Sequence, residues 1–206
     1  MFKITRHPTS EPQFLQEKGK EWTEKFIDAR KTNKKHKHSW KIKNINYHDE
    51  IIETLKTLTH EHCSYCDKYP LDARAKTDLQ IDHFKPVSRH EELAYEWTNL
   101  YLSCAACNKS KLAQYSDLIL RPDAEDYHPN DYFFFDTSTG EILVNERKGK
   151  AYTERAKETI EVFKLNDKSI VKMRLIAIRN FKKEEEFDIN DYGYRNFIEE
   201  LLYFYK

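Results

Sequence analysis

Four cysteines, arranged as two C-x-x-C pairs, are the feature that most constrains how this chain folds. The first pair is Cys63 and Cys66, and the second is Cys104 and Cys107. Two such pairs can surround one tetrahedral zinc ion, with each thiolate about 2.3 Å from the metal. Four cysteine ligands leave no open position for water, so we expect a structural zinc that ties together the two ends of the segment between the pairs.

The expected cellular compartment also favours metal over disulfides. Residues 1–6 lack the apolar run of a signal peptide, and no stretch of the sequence approaches the ~18 apolar residues of a membrane span. We therefore expect a cytoplasmic protein that does not bind membranes and whose thiols stay reduced. A thioredoxin-like redox site would use one C-x-x-C pair, so it fits this chain less well.

Length and composition indicate one folded core with appendages. The chain has 206 residues, and its aromatic share of 14% partly compensates for a low hydrophobic share of 39%. Because 35 basic residues balance 35 acidic ones, the net charge is zero. Any contact with nucleic acid must therefore come from local patches of charge.

The sequence pattern predicts an α+β fold, with a small zinc-stabilised core between helical N- and C-terminal flanks and an extra β-hairpin. We place the N-terminal flank at residues 1–59, the zinc core at 60–115 and the C-terminal region at 116–206. Apolar periodicity and cap residues predict helices at about 12–31, from 51 to just before Cys63, and at 151–164, 168–184 and 192–204. Within the core the expected order is strand (79–81), strand (100–102) and helix (108–114), and the hairpin is expected at 132–144.

Asp82 and His83 stand at the predicted end of the first core strand and carry groups suited to phosphodiester hydrolysis. Neighbours in a flat strand face opposite sides, so the pair can serve one site only where the chain leaves the strand. Pro86 restricts Lys85 to extended geometry and supports an exit there. The carboxylate suits Mg²⁺ or Mn²⁺, and a neutral imidazole can take a proton from water near pH 7.

Two asparagines complete the candidate site. Asn108 follows Cys107, and we expect it at the start of a helix, where its amide oxygen would complete the metal coordination begun by Asp82. The simpler alternative is a helix N-cap. Asn99 precedes the second core strand, and we expect its side chain to hold the loop after His83 through backbone hydrogen bonds. An ordinary Asx turn is the alternative there.

Lysines near these motifs supply local positive charge. We expect Lys85, Lys109 and Lys111 to contact the backbone of a nucleic acid. A run of basic residues at 31–43, called the basic segment below, has Trp40 inside it and could grip phosphates and stack on a base. A solvated loop is the default interpretation of such a run.

Together these motifs resemble the HNH endonuclease family, over about a quarter of the chain. The family has a ββα-metal fold, often with a zinc held by four cysteines. By this resemblance His83 is the general base, Asp82 and Asn108 bind a catalytic Mg²⁺ or Mn²⁺, and Asn99 is the central structuring asparagine. The eponymous pattern ends in histidine where this chain has Asn108, a common variant that leaves the choice of metal more open.

The flanks resemble one subgroup, which contains the nuclease subunit of Septu-type antiphage systems and the HNH proteins that accompany some retrons. The resemblance lies in residues 1–4, 93–100, 103–111, 126–135 and 156–166. It implies a partner, an ABC-type ATPase that holds and controls the nuclease, and it makes the helical flanks docking surfaces.

Three functions follow, in order of preference. The first is a metal-dependent endonuclease that cuts DNA. The second keeps the same chemistry but acts on RNA, for instance tRNA, because such a site reads a phosphodiester and a backbone shape. The third is a zinc-stabilised binding or assembly module without catalysis, in which Asp82 and His83 would lie too far apart, or too buried, to share a metal.

Overall fold

The computed structural model describes residues 1–71, 78–182 and 186–204, and it shows the predicted α+β class. The helices are α1 (Gln13–Thr32), α2 (His48–Thr59), α3 (Ala105–Lys111), α4 (Pro129–Tyr132), α5 (Lys150–Phe163), α6 (Lys168–Asn180) and α7 (Arg195–Phe204). The strands are β1 (Lys41–Ile42), β2 (Ile45–Asn46), β3 (Gln80–His83), β4 (Leu100–Ser103), β5 (Phe133–Phe135) and β6 (Ile142–Val144).

The N-terminal flank consists of α1, α2 and a small hairpin between them. Leu15, Trp22 and Phe26 recur on one face of α1 and are buried, as their helical spacing predicts. Strands β1 and β2 are joined by Lys43 and Asn44, both at positive φ, which is the conformation that two-residue hairpin turns require. The end of the basic segment is therefore a hairpin rather than an irregular loop.

The core follows the predicted order of strand, strand and helix. Strands β3 and β4 pair antiparallel, with Ile81 opposite Leu102 and His83 opposite Leu100. Helix α3 begins at Ala105, three residues before the predicted start, because Cys104 is its N-cap and accepts a hydrogen bond from the backbone of Cys107. Asn108 is consequently the fourth residue of the helix, and its predicted place at the helix start was wrong.

The extra hairpin is confirmed as β5 and β6, which pair antiparallel with Phe134 opposite Leu143. Gly140 ends its turn at a φ of 75° and lies close to α6. A Cβ on this glycine would stand 3.0 Å from Leu175 Cγ and 3.0 Å from the Val171 carbonyl oxygen. Both the backbone conformation and the close approach therefore require glycine here.

The C-terminal helices are confirmed, but the end of α6 and the start of α7 differ from their predictions: α7 begins at Arg195 rather than at 192. Helix α6 begins after Asp167, whose side chain caps it, but it ends at Asn180 rather than near 184. Part of the predicted extension, residues 183–185, lies outside the described residues. Helix α7 is fastened to the first cysteine turn, because Arg195 Nη2 donates to Asp67 Oδ1 at 2.6 Å in a buried ion pair.

One hydrophobic cluster takes side chains from both flanks and from the core. It includes Trp22 of α1, Leu55 of α2, Leu102 of β4 and Phe163 of α5, all of them buried. The flanks therefore share a continuous apolar interior with the strands that carry the candidate site. None of the helices in the described ranges combines the length and apolarity needed to cross a bilayer.

Candidate functional site

The four cysteines converge on one point. Their sulfur atoms lie within 4.8 Å of one another, and all four side chains are buried. The Sγ atoms of Cys66 and Cys104 are 3.7 Å apart. This separation is much longer than the roughly 2.05 Å of a disulfide and matches the edge of about 3.8 Å in a tetrahedron with 2.3 Å metal–sulfur bonds. The donor set therefore fits zinc.

Backbone N–H groups point at the sulfurs and favour their ionised form. The N–H of Cys107 donates to Cys104 Sγ at 3.5 Å, and the N–H of Cys104 donates to Cys63 Sγ at 3.3 Å. Hydrogen bonds from Cys107, Cys63 and Cys66 lower the pKa of Cys104, whereas hydrogen bonds within the cluster and burial raise the pKa of Cys66 and Cys107. The free protein therefore favours one thiolate, and a bound cation would favour the thiolate form of all four.

A buried arginine from the C-terminal region lies near this cluster. Arg174 is 1% exposed, and its Nη1 donates to the Gly140 carbonyl at 3.2 Å, while Nε and Nη2 have no hydrogen-bond partner among the described residues. Burial lowers its pKa to about 10, against the attraction of Cys66. A zinc ion with four thiolates carries two net negative charges, which this guanidinium would partly offset.

His83 is the last residue of β3, and its ring orientation is fixed. Its Nε2 lies 2.9 Å from the Ala94 carbonyl oxygen. A carbonyl only accepts, so Nε2 carries the proton in the neutral ring and Nδ1 keeps the lone pair. Burial lowers the pKa of His83 to about 4, so the ring is neutral near pH 7 and Nδ1 can accept a proton.

The Asp82 side chain is 4% exposed and is held by buried partners. Tyr65 Oη donates to Asp82 Oδ2 at 2.5 Å, and Lys111 Nζ lies 3.1 Å from Asp82 Oδ1. Lys111 also donates to the His83 carbonyl at 2.7 Å. Burial raises the pKa of Asp82 and lowers that of Lys111, although their mutual attraction opposes both shifts. The carboxylate is thus already engaged by two side chains.

Lys111 differs most from its sequence-based role. We predicted that Lys111 contacts a nucleic-acid backbone, but its side chain is fully buried and is not available for such a contact. Instead it links α3 to the end of β3. Lys85 and Lys109 also lie apart from each other. Lys85 Nζ lies 5.3 Å from the ring centroid of Tyr115, while Lys109 is exposed beside the zinc cysteines.

Asn99 clamps the chain just after His83. Its Oδ1 accepts the Lys85 N–H at 2.8 Å, and its Nδ2 donates to the carbonyls of Lys85 at 3.0 Å and Leu93 at 3.2 Å. The side chain is 5% exposed, so these three bonds are shielded from water. They fix both ends of the loop that leads from β3 to the Ala94 carbonyl.

Asp82, His83 and Asn108 line one cleft of about 400 Å³, called the His83 cleft below. Asn108 Nδ2 donates weakly to Gln80 Oε1 at 3.4 Å, and its Oδ1 accepts no hydrogen bond within the described part of the chain. One carboxylate and one amide oxygen at a common cleft suit a Mg²⁺ ion that keeps several waters. The cleft therefore combines a base with two oxygen donors.

Sequence reasoning missed one residue of this cleft. His38, from the basic segment, also lines it, and its ring contacts His83 at a centroid distance of 4.9 Å. The Trp40 ring lies parallel to the His83 ring, with 6.0 Å between the ring centroids, and it is half-buried. It therefore offers less surface for stacking on a base than the sequence suggests. In the sequence, only the position of His38 within the basic segment marks it as a candidate, and that position does not indicate a contact with His83.

Residues 63–114 match the family model of the HNH endonucleases. The matched residues make up about a quarter of the chain and include the four cysteines, Asp82, His83, Asn99 and Asn108. A search of the curated proteins found no match. The chain thus carries an HNH endonuclease domain with four cysteines placed for metal binding, and the basic segment lies outside the matched region.

Proposed function

We propose that this protein is a metal-dependent HNH endonuclease that hydrolyses phosphodiester bonds in DNA. The observation that carries the proposal is the His83 ring, with Nε2–H bound to the Ala94 carbonyl and Nδ1 left as a base beside Asp82 and Asn108. This arrangement supports activation of a water molecule within a domain that matches a nuclease family.

In this proposal the neutral ring of His83 takes a proton from the attacking water through Nδ1. Without substrate, burial lowers the pKa of His83 to about 4, so the ring is unprotonated near pH 7 but is a weak base. A phosphodiester anion bound in the cleft would raise this pKa, because a nearby negative charge favours the protonated ring. Substrate binding would therefore strengthen the base at the moment it is needed.

Asp82 and Asn108 would hold the catalytic Mg²⁺ or Mn²⁺. Bound there, the cation would neutralise charge on the leaving oxygen. Lys111 already compensates the Asp82 carboxylate at 3.1 Å, so the free protein should bind the cation weakly until phosphate oxygens add further ligands. The zinc at the four cysteines would have no open position and would serve only to fix the fold.

The basic segment supports a nucleic-acid substrate. Beside it lies a depression of about 440 Å³ with an aromatic floor, and the residues on its rim carry mostly positive charge. The floor is formed by Trp22, Phe26, Tyr47 and Tyr95, and the lysines are Lys18, Lys25, Lys37, Lys41 and Lys43. The lysines favour a polyanion, while Trp22, Phe26 and Tyr95 are buried and shape the floor rather than stack on bases. The same features would accept RNA, so RNA is the alternative substrate.

A second candidate function has its own support. Asp82 is 4% exposed, and its carboxylate already accepts hydrogen bonds from Tyr65 and Lys111. A binding module without catalysis would not need this carboxylate to be free for a metal ion. In that case the zinc core would only organise docking surfaces. The two candidates differ in a simple way, because only the nuclease needs His83 as a base.

The defence role and its partner complete the proposal. Their support is the resemblance of the flanks to Septu and retron-associated HNH proteins, which implies an ABC-type ATPase. Two apolar side chains on α6, Met173 and Ile176, are 48% and 37% exposed and could take part in such docking. Affinity purification from the native host, followed by mass spectrometry and metal analysis, would show whether an ATPase and zinc accompany the protein.

The test of catalysis uses supercoiled plasmid DNA and total RNA side by side, with Mg²⁺, Mn²⁺ or EDTA. We expect the wild type to nick DNA only with a divalent cation, and His83→Ala to lose at least about a hundredfold in rate. His128→Ala changes an exposed histidine away from the cleft and the basic segment, so it is the matched control and should cleave normally. Full activity in His83→Ala would exclude His83 as the base and refute this proposal. No cleavage by the wild type, with or without the ATPase, would leave the binding module.

A further inference from the structure

His38 reaches the His83 cleft from outside the region that matches the nuclease family. It precedes the first cysteine by 25 residues and belongs to the basic segment. Its ring meets the ring of His83 edge-on, at an interplanar angle of 79°. The N-terminal flank therefore places an imidazole directly beside the proposed base.

Aromatic packing, rather than hydrogen bonding, holds this ring. Trp40 and Tyr95 contact it at centroid distances of 4.5 Å and 4.6 Å. Its Nε2 is buried and has no hydrogen-bond partner among the described residues. The Ala94 carbonyl lies near both histidine rings, but the hydrogen bond to it is made by His83.

Packing alone does not explain a histidine at this position. A phenylalanine would fill the same space between Trp40 and Tyr95 without burying an unpaired nitrogen, which costs free energy. Departures from the best local packing are expected where a side chain has a function. Since Nε2 is buried, only Nδ1 of His38 is left to meet a molecule in the cleft.

The charge state of His38 limits what it can do. Burial, followed by repulsion from His83, lowers its pKa to about 3, so the ring is neutral near pH 7. A neutral imidazole is a poor proton donor to a leaving group, but its single N–H is a good hydrogen-bond donor. A donor role in the cleft requires the tautomer with the N–H on Nδ1 and the lone pair on the buried Nε2.

We propose that His38 is a substrate-binding residue of the nuclease site, whose Nδ1–H donates a hydrogen bond to a non-bridging oxygen of the phosphodiester held beside His83. The inference rests on the proposed function and adds a residue that the core domain does not contain. It makes the N-terminal flank part of the active site as well as part of the fold.

Three substitutions of His38 separate binding from packing. His38→Phe keeps an aromatic ring without a donor, and we expect kcat/KM for DNA cleavage to fall about 10- to 100-fold, the loss expected for a hydrogen bond to a charged group. His38→Asn places an amide near the position of Nδ1 and should recover part of that loss. His38→Gln places its amide near Nε2 and should recover less.

The controls address folding. Zinc content and melting temperature should be normal in His38→Phe, because the unpaired nitrogen is removed and the ring contacts remain. His128→Phe changes an exposed histidine that lines neither the cleft nor the depression beside the basic segment, and its kinetics should match the wild type. If His38→Phe fails to fold, the Asn-to-Gln comparison still decides, and a Gln variant as active as the Asn variant would overturn the proposal.

Failure of this inference is distinguishable from failure of the proposed function. Cleavage by His38→Phe at the wild-type rate would show that His38 only packs against its neighbours. If the wild type cuts neither DNA nor RNA, the nuclease proposal fails, and His38 is then tested by duplex binding in the His83→Ala background. Equal Kd values for His83→Ala with and without His38→Phe would overturn the inference, and weaker binding by the double variant would support it.

Discussion

Replacing Lys111 with methionine should destabilise the protein strongly, because it leaves the Asp82 carboxylate buried without its counter-ion. The Lys111 ammonium lies 3.1 Å from Asp82 Oδ1 and 2.7 Å from the His83 carbonyl oxygen, and its side chain is fully buried. Methionine fills a similar volume without a donor. The substitution therefore removes the charge and both hydrogen bonds while it keeps most of the packing.

The size of the effect follows from the burial of the pair. Removing one partner of a buried ion pair costs about 3–5 kcal/mol in the free energy of unfolding. Tyr65 would still donate to Asp82, and Asp82 could take up a proton because burial already raises its pKa. We therefore expect the lower end, about 3 kcal/mol, which corresponds to a fall of roughly 6–12 °C in melting temperature for a chain of this size.

The assay is urea unfolding of the zinc-loaded protein, with three variants beside the wild type. Lys109→Met changes an exposed lysine on the same helix and should alter the free energy of unfolding by less than about 0.5 kcal/mol. Asp82→Asn leaves Lys111 without its counter-ion and should also destabilise. The double variant Lys111→Met/Asp82→Asn should be about 2 kcal/mol more stable than the sum of the single effects predicts.

Two results would refute this reasoning. One is a Lys111→Met variant within about 1 kcal/mol of the wild type, and the other is strict additivity in the double variant. Either would mean that Asp82 and Lys111 do not form a buried pair in solution. The Asp82 carboxylate would then be free for a metal ion, as the sequence alone suggests.

Three further predictions concern the zinc cluster, the pH dependence and the loop clamp. Cys66→Ser should lose bound zinc, which zinc release to a chromophoric chelator measures. Its melting temperature should fall by roughly 10 °C or more, because metal binding supplies folding free energy. Stability should fall as pH drops from 6.5 toward 4, because unfolded His83 takes up a proton near pH 6.5 while burial lowers the pKa of His83 in the fold to about 4. Between pH 6.5 and 5.5 the wild type should lose about 1 kcal/mol more of its free energy of unfolding than His83→Phe does. Asn99→Ala should lower kcat at least about tenfold with zinc retained, because it frees the loop after His83, and an unchanged kcat would show that the three hydrogen bonds do not position the base.

Much of the local structure could be read from the sequence. The spacing of Leu15, Trp22 and Phe26 predicted α1, and turn residues between two apolar runs predicted the β5–β6 hairpin. The paired cysteines predict a four-sulfur cluster, and in the fold the four sulfurs lie within 4.8 Å of one another. Each of these patterns involves residues that are close together in the sequence, because helix periodicity, turn chemistry and the spacing within a C-x-x-C pair act over a few residues.

The errors arose where a side chain acts outside its usual role. Cysteine is not among the preferred N-cap residues, so the sequence placed the start of α3 at Asn108 rather than after Cys104. A lysine after a metal motif is normally solvated, so Lys111 was assigned to nucleic acid. Its burial depends on the carboxylate of Asp82, which β3 brings against α3.

The sequence by itself determined which chemical groups this protein possesses and the secondary structure that carries them: four thiolates in pairs, an acid next to an imidazole, and two asparagines. Only the tertiary structure decided how these groups are used. In the fold, Lys111 and Tyr65 donate hydrogen bonds to the Asp82 carboxylate, and His83 Nε2 lies against the Ala94 carbonyl. The fold also brings His38 into the cleft. The reason is that burial and charge pairing depend on contacts between distant parts of the chain, which local spacing does not encode.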